Sequence, residues 1–204
     1  MSQTERAPSK LNRKSQIVSA AERLLIQKGL AGVTTRAIAD AVPCSEGAIY
    51  VHFENRLQLL LTVLEHALPE MLVPLHALEG KIGKGAPQAN LVAAMRGLQK
   101  FHHRVAPMIG SLFAETDLLA GFREDLAARG KGPKGGLARI VRYIREEQKL
   151  GRIVADVDAE VAAGTLMSIS FFQAFTSALF ESQVPALTHA RIVASVLRTM
   201  NSST

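Results

Sequence analysis

Three observations predict an all-α fold. Runs that alternate apolar and polar residues between turn signals are nearly absent, apolar side chains recur at 3.6-residue spacing in almost every segment, and capping residues, glycines or prolines punctuate those segments. With 204 residues, 48% hydrophobic and 21% charged, the chain can bury a substantial core and is no disordered tail. Its length fits one or two domains.

The first helix carries Ile17, Ala21, Leu24 and Leu25 on one stripe, with Arg13, Glu22 and Gln27 off it, and Gly29 supplies its stop. Two short helices follow, residues 35–41 capped by Thr34 and residues 46–52 capped by Ser45. Asn55 caps a longer helix whose Leu57, Leu60, Leu61, Leu64 and Leu68 face inward, and Pro69 and Pro74 are expected to disturb its far end. Gly80, Gly83, Gly85 and Pro87 form a loop; helical patterning resumes over residues 90–105, and Pro107 starts a further stretch that reaches residue 128.

Residues 130–136, GKGPKGG, read as a solvated loop, since they lack the spacing and Lys-Ser/Thr ending of a phosphate cradle. Leu137, Ile140, Val141 and Ile144 define the apolar face of the next helix, and Arg142 and Glu146 form an i,i+4 pair on its other side. Asp158 caps a long uncharged helix. Pro185 begins the last, with Ala190, Val193, Leu197 and Met200 on one face. There is no internal repeat.

The charge excess is 24 − 18 = +6, which suits a polyanionic partner but is too small for a histone-like polycation. The first 15 residues set Arg6, Lys10, Arg13 and Lys14 against Glu5, and residues 123–152 set nine bases against Glu124, Asp125, Glu146 and Glu147. A single cysteine, Cys44, excludes an intramolecular disulfide framework and fits a reducing cytoplasm. Residues 1–16 contain no apolar run of the secretory kind, so a cytoplasmic location is expected. Residues 161–180 match a bilayer-spanning length without a charge, but six polar residues interrupt them and acids flank both ends, which favours a helix buried in protein.

Two short helices separated by about three residues, the second opening on a small capping residue, form a helix-turn-helix pattern. One helix lies across the DNA backbone while the next projects small and polar side chains into the major groove. Gly47 and Ala48 are small enough for close approach, and Ser45, Tyr50 and His52 can hydrogen-bond phosphates or base edges. Ile38, Ala39, Ile49 and Phe53 would hold the pair to the first helix, although Tyr50 and Phe53 can both also be read as packed aromatics.

The run TTRAIA at residues 34–39, SEGAIYVHF at 45–53, Asn55-Arg56-Leu57 and Leu59-Leu60 resembles the N-terminal DNA-binding domain of TetR-family transcriptional regulators. The match covers residues 13–64. The resemblance implies a homodimeric, ligand-responsive repressor that binds a palindromic operator through two recognition helices and is released when a small molecule enters the C-terminal domain. A pocket lined mostly by Leu, Met and Phe would favour a small apolar or aromatic effector. Carried over residue by residue, the resemblance makes Glu46 to His52 the recognition helix, with Gly47 and Ala48 towards the groove. Thr34, Arg36, Ser45, Tyr50, His52, Asn55 and Arg56 complete the DNA-binding set. Arg56 stands where the family usually has lysine, a change that keeps the charge and adds a planar fork suited to phosphate. Val42-Pro43-Cys44 replaces the usual small-Gly-Val, and proline cannot adopt a positive φ, so the turn closes differently.

These readings divide the chain into a flexible basic arm (residues 1–12), a DNA-binding domain (13–56) and a helical ligand-binding and dimerisation domain (57–204) whose last two helices would pair with a second copy. Candidate lining residues for an effector pocket are Met95, Phe101, His102, Phe113, Tyr143, Met167, Phe171 and Phe175, each of which can equally be core. No cofactor or metal is expected: His102 and His103, being adjacent, point about 100° apart on a helix. An enzyme built on Glu115, Asp117 and one of these histidines lacks a nucleophile-base-orienter set. A sequence-independent DNA compactor would need more dispersed charge.

Overall fold

The computed structural model describes residues 10–129, 133–180 and 187–198. Among them are nine α-helices and one short 3-10 turn, and no strand: α1 Lys10–Lys28, the turn Leu30–Gly32, α2 Thr35–Ala41, α3 Glu46–Tyr50, α4 Arg56–Glu79, α5 Pro87–Leu112, α6 Thr116–Ala128, α7 Pro133–Lys149, α8 Ala159–Phe180 and α9 His189–Val196. The all-α expectation holds. The chain divides into two compact units, one comprising the residues up to His66 together with Pro107–Phe122, the other comprising Ala67–Ala106 and the chain from Arg123 onward. Helices α4, α5 and α6 each contribute to both.

In the first unit, the α1 stripe of Ile17, Ala21, Leu24 and Leu25 is buried with Ile38, Ala39, Ile49 and Phe53, so apolar spacing sets the packing of α1, α2 and α3. Removing each large apolar side chain from water contributes about 1.5–3 kcal/mol. Gly29 ends α1 at φ 66°, a left-handed conformation that glycine adopts without a Cβ penalty. α1 already begins at Lys10, inside the stretch of residues 1–12 expected to be an arm; residues 1–9 lie outside the described ones.

The second unit is built around Leu75, Leu78, Leu91, Met95, Leu98, Ile140, Ile144 and Leu166, with α8 packed on α7 and α9 on α8. Here the prolines correct the sequence reading. α4 continues through Pro69 and Pro74 to Glu79. Pro74 has no N–H for the carbonyl of Glu70, and Gly97 of α5 packs against that spot: a Cβ there would lie 2.6 Å from the Glu70 oxygen and 2.1 Å from Pro74 Cγ. The glycine thus allows α5 to close over the gap in the α4 ladder. α5 likewise passes through Pro107 to Leu112, and the break falls at residues 113–115 instead.

Pro133 takes the first helical position of α7, where its missing N–H costs nothing, so Lys134, Gly135 and Gly136 are helical rather than looped; residues 130–132 lie outside the described ones. Asp158 caps α8 as expected, its Oδ1 accepting from the Val161 N–H at 3.0 Å. The last helix is capped by Thr188, and its buried pair is Ile192 and Val193, while Ala190 is exposed; Pro185 and Met200 lie outside the described residues. α8 is long and apolar enough to cross a membrane by length and composition. It is not enclosed all round: Ala162, Ala163, Leu166, Ser170 and Ala174 are buried, but Val161, Phe172, Leu179 and Phe180 are exposed.

Candidate nucleic-acid interface

Helices as short as α2 and α3 have too few internal hydrogen bonds to hold themselves, so their caps and packing decide whether they form. Thr34 and Ser45 are both extended at the N-cap, and their hydroxyl oxygens accept from the N–H groups of Ala37 at 3.1 Å and Ala48 at 3.3 Å. Asn55 does the same for α4, its Oδ1 accepting from the Gln58 N–H at 2.9 Å. The helix expected over residues 46–52 to be the recognition helix is shorter. α3 ends at Tyr50, and the N–H groups of Val51 and His52 close a final turn on the carbonyls of Gly47 and Ile49.

Burial sorts the sequence-predicted residues. Thr34, Arg36, Ser45, Glu46, Gly47, Tyr50 and Asn55 are exposed, Ala48, His52 and Arg56 half-buried. Tyr50 is 60% exposed, whereas Phe53 is 2% exposed and belongs to the core. The turn at Val42-Pro43-Cys44 closes with Val42 in an extended conformation, and the Pro43 carbonyl accepts from the Arg13 guanidinium at 3.3 Å. Cys44 is a half-buried free thiol.

Three side chains that sequence reasoning did not assign to this surface brace it. Thr35 donates to Glu46 Oε2 at 2.5 Å, which ties the first residue of α3 to the start of α2. Lys14 lies over the Phe53 ring, 5.4 Å from its centroid. Glu115, 59 residues from Arg56, receives both of its carboxylate contacts from the Arg56 Nη1 at 3.0 Å, and Arg56 Nη2 donates to the Leu30 carbonyl. Arg56, expected at a phosphate, here has its guanidinium turned to a carboxylate and a carbonyl of its own unit. The basic run around Lys14 hinted at one of these braces; no local pattern announces a contact 59 residues away.

The eight effector-pocket candidates do not form one site. Phe113 belongs to the first unit and is 66% exposed. Phe101, His102, Phe171 and Phe175 do come together, as rings with successive centroids 5.5, 5.6 and 6.0 Å apart. His102 Nδ1 lies 2.9 Å from Ser170 Oγ, and burial, with the charge of His103 adding to it, lowers its pKa to about 4. Tyr143 serves a different purpose. Wholly buried, it accepts from the Asn90 amide at 2.9 Å, and desolvation raises its pKa to about 12.

Beside it the buried Glu147 accepts from the Gly83 N–H at 3.0 Å and pairs with Arg152 Nε at 3.1 Å, so the residues around Tyr143 fasten the loop between α4 and α5. Met95 is core, and Met167 is half-buried near Gly136. Among the described residues no group of three or more histidines, cysteines or acids could hold a metal ion.

With that geometry in place, residues 17–63 match the family model described as bacterial regulatory proteins, tetR family. Over 52 residues, 26% of this chain and 25% of the relative, the sequence is 38% identical to HTH-type transcriptional regulator TtgR of Pseudomonas putida. The aligned part is thus about a quarter of that curated relative. Among solved structures, a putative TetR-family transcriptional regulator from Mesorhizobium loti is similar at a TM-score of 0.69, with 17% identity over 94% of this chain and 96% of that one. The structure of AibR in complex with isovaleryl coenzyme A and operator DNA is similar at a TM-score of 0.59, with 19% identity over 91% and 96% of the two chains. At these identities the likeness is one of fold.

Proposed function

We propose that this chain, whose residues 17–63 match the model of the tetR family of bacterial regulatory proteins, is a cytoplasmic, DNA-binding transcriptional regulator of that family, a repressor released by a small effector. One observation carries the reading. The first unit spends its capping and core residues on holding two short helices, and leaves Thr34, Arg36, Ser45, Gly47 and Tyr50 exposed at their ends, where groove and phosphate contacts are made.

The partner is a palindromic operator bound by a homodimer. Support for the dimer comes from α8, whose exposed Val161, Phe172, Leu179 and Phe180 are apolar surface that a second copy would cover together with α9. The effector is small and apolar or aromatic in its recognised part, received in the second unit beside the Phe101, His102, Phe171 and Phe175 rings. A coenzyme A thioester of a short acid belongs to that class, and AibR of the same fold is seen with one. A gel-shift titration against the DNA upstream of the chain's own gene tests the reading. Preference for that DNA over a scrambled duplex is expected, and equal affinity for both sinks it.

A further inference from the structure

We propose that Glu115 is an internal mimic of DNA phosphate that competes for Arg56, so that this conformation withholds one of the chain's own phosphate contacts. The inference deepens the reading above and rests on it.

A groove of about 480 Å³ in the first unit is lined by Thr34, Tyr50, Asn55 and Arg56, all four assigned to DNA from the sequence, and by Glu115. A carboxylate therefore lies in the groove where an anion of the backbone is expected. Its charge acts twice: it engages Arg56 Nη1 through both oxygens at 3.0 Å, and it repels an approaching phosphate.

The guanidinium is not fully satisfied by these partners. Its buried Nε–H has no hydrogen-bond acceptor among the described residues. The pair is also weak enough to exchange, both side chains being 36% exposed, where ion pairs contribute little. With Nη2 on the Leu30 carbonyl, arginine at this position offers its Nη1 to a carboxylate or to a phosphate, and to only one of them at a time.

Glu115 is placed for control. It sits in the break between α5 and α6, in the segment Pro107–Phe122 that packs with the first unit, while the chain on either side of that segment belongs to the second. An effector that displaces α5 or α6 has a continuous path of backbone to the carboxylate, and whether Arg56 is held or released changes the affinity for DNA.

The test measures binding of the full chain to a random-sequence duplex and to the DNA upstream of its gene, at fixed salt, for the wild type, Glu115→Gln, Glu115→Asp and Asp117→Asn. Asp117 is a nearby exposed acid that shares the charge change without the contact to Arg56. Glu115→Gln is expected to bind both duplexes at least about fivefold tighter. Glu115→Asp, which keeps the charge and shortens the reach, gives a smaller gain, and Asp117→Asn stays within about twofold. In an Arg56→Gln background the excess of Glu115→Gln over Asp117→Asn disappears. Thermal unfolding of each variant confirms that the fold is kept. A Glu115→Gln chain that binds no tighter than Asp117→Asn, or more weakly than wild type, overturns the competition while leaving DNA binding intact. A wild-type chain that binds neither duplex overturns the regulator reading itself.

Discussion

In the first unit Thr34, Ser45 and Asn55 cap helices from exposed positions, whereas in the second Asn90, His102, Glu147, Ser170 and Thr176 are turned inward and buried. No polar residue among the described ones is buried to that degree in the first unit. An exposed cap satisfies one orphan N–H and keeps its remaining lone pair or proton for a partner from outside. A buried polar group has no such reserve; it fixes the elements around it, as Glu147, Tyr143 and Asn90 fix the α4–α5 loop. The contrast separates a surface built to meet a ligand from an interior built to hold a shape.

Breaking the inward side should have the largest effect. Glu147→Ala leaves the Gly83 N–H and the Arg152 Nε–H without the carboxylate they share, and a loss of about 3 kcal/mol or more in urea unfolding is expected. A loss below about 1 kcal/mol would show that the network is incidental.

His102 sharpens the same side through pH. Burial holds its folded pKa at about 4, so between that value and the ordinary 6.5 the unfolded chain binds the extra proton and the folded chain does not. Stability is therefore full above pH 6.5 and declines as pH falls towards 4, by up to about 3 kcal/mol. Comparing the thermal midpoints of wild type and His102→Gln across that window isolates the contribution, and parallel curves refute it.

On the outward side the effects shrink. Thr34→Ala and Ser45→Ala should each lower stability by about 1 kcal/mol, read as a shift of the urea midpoint, because each frees one helix-end N–H. Tyr50→Phe should leave stability within about 0.5 kcal/mol and still weaken DNA binding, since the 60% exposed phenol contributes to a partner and not to the core. A Tyr50→Phe chain that unfolds earlier but binds DNA normally would erase the distinction between the two units.

The same contrast explains what the sequence made legible. Caps act within three residues, so Thr34, Ser45, Asn55 and Asp158 could be assigned from spacing, and so could the buried stripe from Ile17 to Leu25. Prolines misled because their effect depends on a neighbour. α4 survives Pro74 with Gly97 of another helix packed against it, and Pro133 starts a helix where a loop is expected. The pairing of Arg56 with Glu115 and of Tyr143 with Asn90 spans 59 and 53 residues, beyond any periodicity. In the basic stretch of residues 123–152, Arg139, Arg145 and Arg152 meet Glu79, Glu160 and Glu147, pairings that only the fold reveals.

The measurement that bears most directly on the outward surface is a hydroxyl-radical footprint of the chain on the DNA upstream of its own gene. A two-fold symmetric protected segment is expected, with half-sites centred about one helical turn, or a multiple of it, apart, and lost when Tyr50 and Arg36 are replaced together. Uniform protection along the duplex, or a footprint unchanged in that double variant, would contradict it.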